Sequence, residues 1–111
     1  MKVYDARAAA AQAVANQPDR PATALVHDSA DARVVMFRIE PGQEVPVHTS
    51  TSTVLLVIVA GTGTVAGAEG DRRVEPGDIV AYDAQEPHGM RAAGEQLLIA
   101  AVIAPRPGTR G

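Results

Sequence analysis

EPGQEVPVHTSTSTVLLVIVAG, residues 40–61, is the stretch that decides the fold. A Pro-Gly pair opens it, one histidine, His48, follows, and an apolar run rich in β-branched residues then ends at a glycine. A second stretch, EPGDIVAYDAQEPHG at residues 75–89, repeats the order: Glu-Pro-Gly, an apolar run and one histidine, His88. Pro-Gly pairs are turn signals, and short apolar runs between turns are typical of buried strands. We therefore predict two strands that each bring one imidazole to a shared pocket.

The rest of the chain is organised as short strands separated by turn residues. Residues 5–16 are the only helical pattern, with Asp5 as the N-cap, an alanine-rich interior and Pro18 beyond the end. Residues 27–31, HDSAD, have the composition of a hairpin turn. The predicted strands are residues 23–26, 33–39, 45–48, 54–59, 64–66, 72–75, 78–82, 88–92 and 96–104.

Strands at this spacing, without an alternating helix, indicate an antiparallel sandwich or barrel. The sequence predicts one all-β domain, because 111 residues is the length of a single core. We expect a helical arm at residues 1–21, the barrel at 22–104 and a flexible tail at 105–111.

Composition narrows the classes of partner. The chain has no cysteine, which excludes disulfides and thiolate sites, and its net charge of −3 disfavours a nucleic-acid partner. No apolar run reaches the roughly 18 residues that a membrane span needs, and the N-terminal residues lack the layout of a signal peptide. We expect a cytoplasmic protein that acts on neither nucleic acid nor membrane.

The two histidine stretches resemble the paired motifs of the cupin superfamily, small β-barrels of the jelly-roll type. In the first motif Gly42, His48 and Gly61 match, while Ser50 and Val54 stand where a second histidine and a glutamate belong. The resemblance implies an antiparallel jelly-roll barrel that assembles as a homodimer.

The second motif matches at Gly77 and His88. Asp83, Gln85 and Ala92 replace its proline, glycine and asparagine. The resemblance covers roughly residues 22–104, and the glycines and both histidines are in register across the two motifs, so it is specific for the fold and weaker for the chemistry.

The resemblance also implies a divalent metal (Zn, Fe, Mn or Ni) held by three histidines and a glutamate. Only His48 and His88 keep such a ligand, since a serine hydroxyl is a poor donor to these metals and valine has none. Metal sites of this kind keep three protein ligands, so a third would come from elsewhere. Glu86 could reach the pocket from an extended segment, although the solvent-facing rim suits it better, and Glu44 precedes His48. His27 has the setting of an ordinary surface histidine.

A metal-free pocket is the rival interpretation. Strand alternation places four residues on the His48 side and one beside His88: Ser50, Val54, Leu56, Ile58 and Met90. Apolar walls with a few polar groups are typical of ligand pockets, and a histidine there can bind a carboxylate or enolate or move a proton. Alternatively, both histidines are merely satisfied by hydrogen bonds.

The leading hypothesis is a small organic ligand held around His48 and His88 without a full metal site, in a sensor, a carrier or a non-metal lyase or isomerase. The alternative is a metal-dependent dioxygenase or isomerase in which both histidines are partial metal ligands. The apolar residues Leu55, Val57 and Val59 alternate with the pocket residues, so we expect them on the outer face, where a homodimer contact would use them.

Overall fold

The structure is a computed structural model, which describes residues 1–107. Within that range one helix and nine strands follow each other along the chain: α1 (Ala6–Ala11), β1 (Ala22–Asp28), β2 (Arg33–Ile39), β3 (Glu44–His48), β4 (Thr53–Ala60), β5 (Gly63–Gly67), β6 (Gly70–Val74), β7 (Ile79–Tyr82), β8 (His88–Ala92) and β9 (Leu97–Ala104). The strands form a five-stranded sheet, β1-β2-β9-β4-β7, and a four-stranded sheet, β3-β8-β5-β6. All of their pairings are antiparallel. The predicted all-β jelly-roll barrel with a short N-terminal helix is confirmed.

The helix is shorter than the sequence predicts. It ends at Ala11 rather than at residue 16, because the chain beyond it joins the edge of β1. The N–H of Val14 donates to the carbonyl of Thr23 at 3.2 Å, and the N–H of Thr23 donates back at 3.1 Å. A backbone that bonds to a strand in this way cannot continue the helical ladder.

The predicted hairpin turn at residues 27–31 begins too early. β1 continues through His27 to Asp28, since a β-bulge after Leu25 lets His27 pair with Val34. The turn is confined to the residues between Asp28 and Arg33, where Ser29 and Ala32 bond to each other. The predicted tail lies outside the described residues from position 108 onward.

The two Glu-Pro-Gly segments form matching turns at residues 40–43 and 75–78. In each turn the fourth residue donates its N–H to the carbonyl of the first, at 3.0 and 3.1 Å, and its side chain accepts the N–H of that first residue at 2.9 Å. Gly42 and Gly77 have φ values of +87° and +95°, as the third position of a type II turn requires. Each turn carries the chain from one sheet to the other, and the turns thereby position β3 and β7.

Two clusters of buried side chains flank β2. Phe37 and Ile39 face the barrel interior, where they join the inward residues of β4 and β9. Met36 faces the opposite way and packs with Leu98 beneath α1. Strand β2 therefore separates the interior of the barrel from the contact with the helical arm, as period-2 alternation dictates.

Gly61, the motif glycine at the end of β4, is required by geometry. Its φ is +78°, and a Cβ there would overlap the carbonyl oxygen of Gln96.

Among residues 1–107 there is no helix long and apolar enough to cross a membrane.

Candidate functional site

His48 and His88 lie opposite each other across the β3–β8 pair. His48 is the last residue of β3, His88 is the first of β8, and the two are register partners. Their ring centroids are 4.2 Å apart, with the ring planes tilted by 59°. The structure thus brings the two motif histidines into direct contact.

The backbone orients both imidazoles in the same way. Nδ1 of His48 lies 2.9 Å from the carbonyl oxygen of Pro46, and Nδ1 of His88 lies 3.0 Å from that of Glu86. A carbonyl oxygen can only accept, so each Nδ1 donates its proton and the neutral ring keeps a lone pair on Nε2. Within residues 1–107 neither Nε2 has a hydrogen-bond partner, so each is left to bind something else.

The two histidine rings differ in their exposure to solvent. His88 is only 4% exposed and packs on the ring of Tyr82 at a centroid distance of 5.1 Å, whereas His48 is exposed. Burial lowers the pKa of His88, and the neighbouring His48 lowers it further, against an opposing effect of Glu86. His88 is therefore held as the neutral imidazole.

Tyr82, the last residue of β7 in the five-stranded sheet, supports His88. Its hydroxyl donates to the carbonyl of Ala66 at 2.7 Å, which fixes the ring that packs on His88. Burial, followed by the nearby carboxylate of Glu86, raises the pKa of Tyr82 above its usual value of 10.0. Tyr82 therefore remains a neutral hydrogen-bond donor.

A cavity of about 400 Å³ opens between the two sheets beside the histidines. Its polar lining consists of both histidines and the loop of residues 49–51. Its apolar lining comes from four strands and the C-terminal segment: Phe37, Val54, Leu56, Met90, Ala101, Ile103 and Pro107. No acidic side chain, lysine or arginine is among the described residues that line it.

Six of the seven residues that the sequence places in the pocket line this cavity: His48, Ser50, Val54, Leu56, His88 and Met90. Ile58 does not line it. It shares the inward face of β4 but lies farther along the strand, in the packed core, where it is 2% exposed. The sequence reasoning missed Phe37, Ala101 and Ile103, because only the pairing of β2 and β4 with β9 shows that these residues face the histidines.

The loops that carry the histidines are bonded to each other. The carbonyl of Ser50 accepts the N–H of Gln85 at 2.7 Å. Gln85 has a φ of +68°, so it keeps the left-handed conformation that a glycine adopts freely, at the position where the cupin motif has its glycine. Ser52, buried behind the loop, donates its hydroxyl proton to the carbonyl of Pro105 at 2.7 Å and fixes the C-terminal segment at the cavity.

The donors around the cavity do not fit a four-ligand metal centre. Glu86 uses its carboxylate to accept the N–H of Asp83 at 3.1 Å, and neither Glu86 nor Glu44 lines the cavity. His27 lies on β1, in contact with Tyr4. Among residues 1–107 no three histidine, aspartate or glutamate side chains come together as a metal-binding group. Among the described residues that line the cavity, the polar side chains are two imidazoles and the hydroxyls of Thr49, Ser50 and Thr51.

Comparisons with known proteins agree with this architecture. The sequence model of the cupin domain family matches residues 35–103. A structure from Thermus thermophilus is 26% identical with a TM-score of 0.85, covering 96% of this chain and 100% of that chain. An RmlC-like cupin protein from Desulfovibrio desulfuricans is 28% identical with a TM-score of 0.79, covering 95% and 97%.

A third structure shows a likeness of fold alone. It is a Klebsiella pneumoniae protein described as having a double-stranded beta-helix domain, 20% identical with a TM-score of 0.82, covering 96% of this chain and 91% of that chain. No curated protein sequence matches the chain.

Proposed function

This chain belongs to the cupin family, and we propose that it binds a small organic molecule in the barrel around His48 and His88, without a full metal site. Members of the family commonly bind small ligands and often bind metals. A cavity of about 400 Å³ lies within the range of small-molecule sites, and its apolar walls with a few convergent polar groups are typical of them.

The observation that carries the proposal is that the two histidine rings have the same pattern of hydrogen bonding. Each Nδ1 is committed to a backbone carbonyl, and each Nε2 is left without a partner beside the cavity. In residues 1–107 no buried side-chain nitrogen or oxygen lacks a hydrogen bond. The partnerless Nε2 of the buried His88 therefore keeps some exposure, and both rings line the cavity, which supports a ligand that binds at Nε2.

The same lone pairs support a second candidate, a metal-dependent dioxygenase or isomerase. Metal-ligating histidines have this arrangement, with the distal nitrogen free and the other donating to a carbonyl. Ser50 and Val54 at the other two ligand positions weigh against it, because they supply neither imidazole nor carboxylate. The metal-free ligand site is the better-supported function.

The test uses the three methionines as reporters. With methyl-¹³C methionine, Met90 reports from the cavity wall and Met36 from the separate cluster beneath α1. Four probes of one skeleton are titrated: cyclohexanol, cyclohexanone, cyclohexanecarboxylate and cyclohexylammonium. We expect at least one probe to shift the Met90 methyl signal and leave that of Met36 in place. If none of the four moves Met90, the proposal is wrong.

Elemental analysis of untagged protein separates the two candidates. We expect less than one metal ion per chain after incubation with Fe, Mn, Ni or Zn salts. Stoichiometric metal that disappears in both His48→Ala and His88→Ala would overturn the metal-free site and support the metal-dependent enzyme instead.

A homodimer is the assembly that family membership and the outer face of the barrel support. Val57 of β4 pairs with Ile79 of β7, which is 68% exposed, and Leu55 lies two residues away on the same face. Val59 does not contribute, because it packs beneath α1. Light scattering should give twice the chain mass for the wild type and the single mass for Ile79→Lys; a monomeric wild type would contradict the dimer.

A further inference from the structure

We propose that the ligand is a neutral, amphipathic molecule with one hydroxyl group, such as an alcohol, phenol or enol. Its O–H donates to Nε2 of His48 or His88, and its hydrocarbon part fills the barrel floor. This inference rests on the proposed function and adds the chemical class of the ligand.

The absence of charge in the lining is the first argument. None of the described residues that line the cavity is an aspartate, glutamate, lysine or arginine. A carboxylate, phosphate or ammonium group held there would leave water without meeting an opposite charge, which is strongly unfavourable. The carboxylate of Glu86 is close enough to influence His88 electrostatically, so an anion is disfavoured further.

The direction of the hydrogen bonds is the second argument. With its Nδ1 proton given to the carbonyl of Glu86, the neutral ring of His88 offers only the lone pair of Nε2 to the cavity, and Nδ1 of His48 is committed in the same way to the carbonyl of Pro46. A ligand whose polar group only accepts, such as a ketone, places one lone pair against another. A hydroxyl proton meets an acceptor whose orientation is already fixed.

Ser50 supplies the complementary partner. Its Oγ accepts the N–H of Ser52 at 3.1 Å, which leaves its own hydroxyl proton to donate. Ser50 lines the same cavity as the two histidines. A ligand hydroxyl both donates and accepts, and it can therefore satisfy an imidazole and Ser50 together.

The remaining walls specify the rest of the ligand. Phe37, Leu56, Met90 and Ile103 line the cavity from β2, β4, β8 and β9, so three of the four belong to the five-stranded sheet. Among the described residues of the lining, the polar side chains are those of the histidines and of the loop of residues 49–51. A molecule with one polar end and a compact apolar body matches this division.

The experiment ranks the four cyclohexyl probes on the wild-type protein at pH 7.5 through the Met90 methyl signal. Cyclohexanol should bind about tenfold or more tightly than cyclohexanecarboxylate or cyclohexylammonium, and about fivefold more tightly than cyclohexanone. Equal or tighter binding of a charged probe or of the ketone would overturn the ligand class and leave the proposed function standing. Binding of none would instead remove the proposed function.

Variants identify the acceptor. The double variant His48→Phe with His88→Phe keeps two rings without an acceptor nitrogen, so it should bind cyclohexanol no more tightly than cyclohexanone. His27→Phe is the matched control, since His27 lies on β1 outside the cavity, and it should keep the wild-type preference. A preference that survives in the double variant would show that the imidazoles do not recognise the hydroxyl.

Discussion

His48 and His88 share the same local structure, and they lie in different environments. Both lie beyond a type II Glu-Pro-Gly turn, and both give their Nδ1 proton to the carbonyl two residues earlier. His48 is exposed at the end of β3, whereas His88 is 4% exposed against Tyr82. Local sequence thus sets the orientation of an imidazole, while the packing of other strands decides its burial.

Because the two rings differ in burial, substitutions of the two residues test different properties. An exposed ring can be changed at small cost to the fold, so His48 is the more direct test of ligand recognition. The buried ring belongs both to the site and to the packing of the four-stranded sheet. Substitutions at the two positions should therefore separate binding from stability.

The largest expected effect comes from restoring the two missing ligands. Ser50→His combined with Val54→Glu gives the cavity three histidines and a glutamate, the full set that the cupin resemblance implies. Without metal, a glutamate at the buried position 54 should lower the free energy of unfolding by about 3 kcal/mol. With Zn²⁺ or Mn²⁺ added, the variant should bind one ion per chain and recover thermal stability.

The control moves the carboxylate along the same strand. Ser50→His with Leu56→Glu places it at another cavity-lining residue of β4, two positions from the motif site. This variant should lose stability and not regain it with metal. The comparison is read by calorimetry and elemental analysis, and equal metal binding by both variants would show that position 54 has no special relation to the histidines.

Removal of each imidazole gives the second effect. His88→Ala deletes a buried ring that contacts His48 and Tyr82, so it should cost about 2–3 kcal/mol. His48→Ala alters an exposed side chain and should cost about 0.5 kcal/mol or less. Urea denaturation of the two variants measures both values. Equal losses would mean that burial does not distinguish the two rings energetically.

Much of the fold was predictable because its signals are local. Turn residues and apolar alternation located every strand, with β2 and β8 bounded as predicted. The predicted boundaries of the helix and of the first hairpin are wrong because residues farther along the chain supply the backbone hydrogen bonds there. Val14 leaves the helical pattern to bond with Thr23, and His27 enters β1 through a bulge. Neither event leaves a local signal.

The site was predictable in part for the same reason. Period-2 alternation placed Val54 and Leu56 on the side of His48, and both line the cavity. Alternation does not say how far along a strand a cavity extends, so Ile58 was included although it lies in the core. It also does not say which strands face each other, and the contribution of Phe37 was missed for that reason.

Tyr82 makes a third, smaller test of the asymmetry, because its ring packs on the ring of His88. Tyr82→Phe keeps the ring and removes the bond to the carbonyl of Ala66, which should cost about 1 kcal/mol. Tyr4→Phe is a matched control, since the hydroxyl of Tyr4 bonds to His27 at an exposed position and its loss should cost close to nothing. The two variants are compared by urea denaturation. Indistinguishable midpoints would mean that the Tyr82 hydroxyl does not support the site.

The smallest effect is the pH dependence that the buried His88 should produce. In the folded protein its pKa lies below the unfolded value of 6.5, chiefly because of burial and then because of His48. As the pH falls below 6.5, the unfolded chain takes up a proton at this position before the folded chain does, so the free energy of unfolding decreases until the folded pKa is reached.

Between about pH 7.5 and 5, urea denaturation should show that the free energy of unfolding decreases as the pH falls, both in the wild type and in His48→Gln. Both proteins keep the buried ring of His88. His88→Gln removes the titrating group and should show a smaller decrease. The comparison between the two glutamine variants is informative because the carboxylates of Glu86 and Asp83, which lie on the same segment, are present in both. Parallel curves for the two variants would mean that the burial of His88 does not make the stability depend on pH in this range.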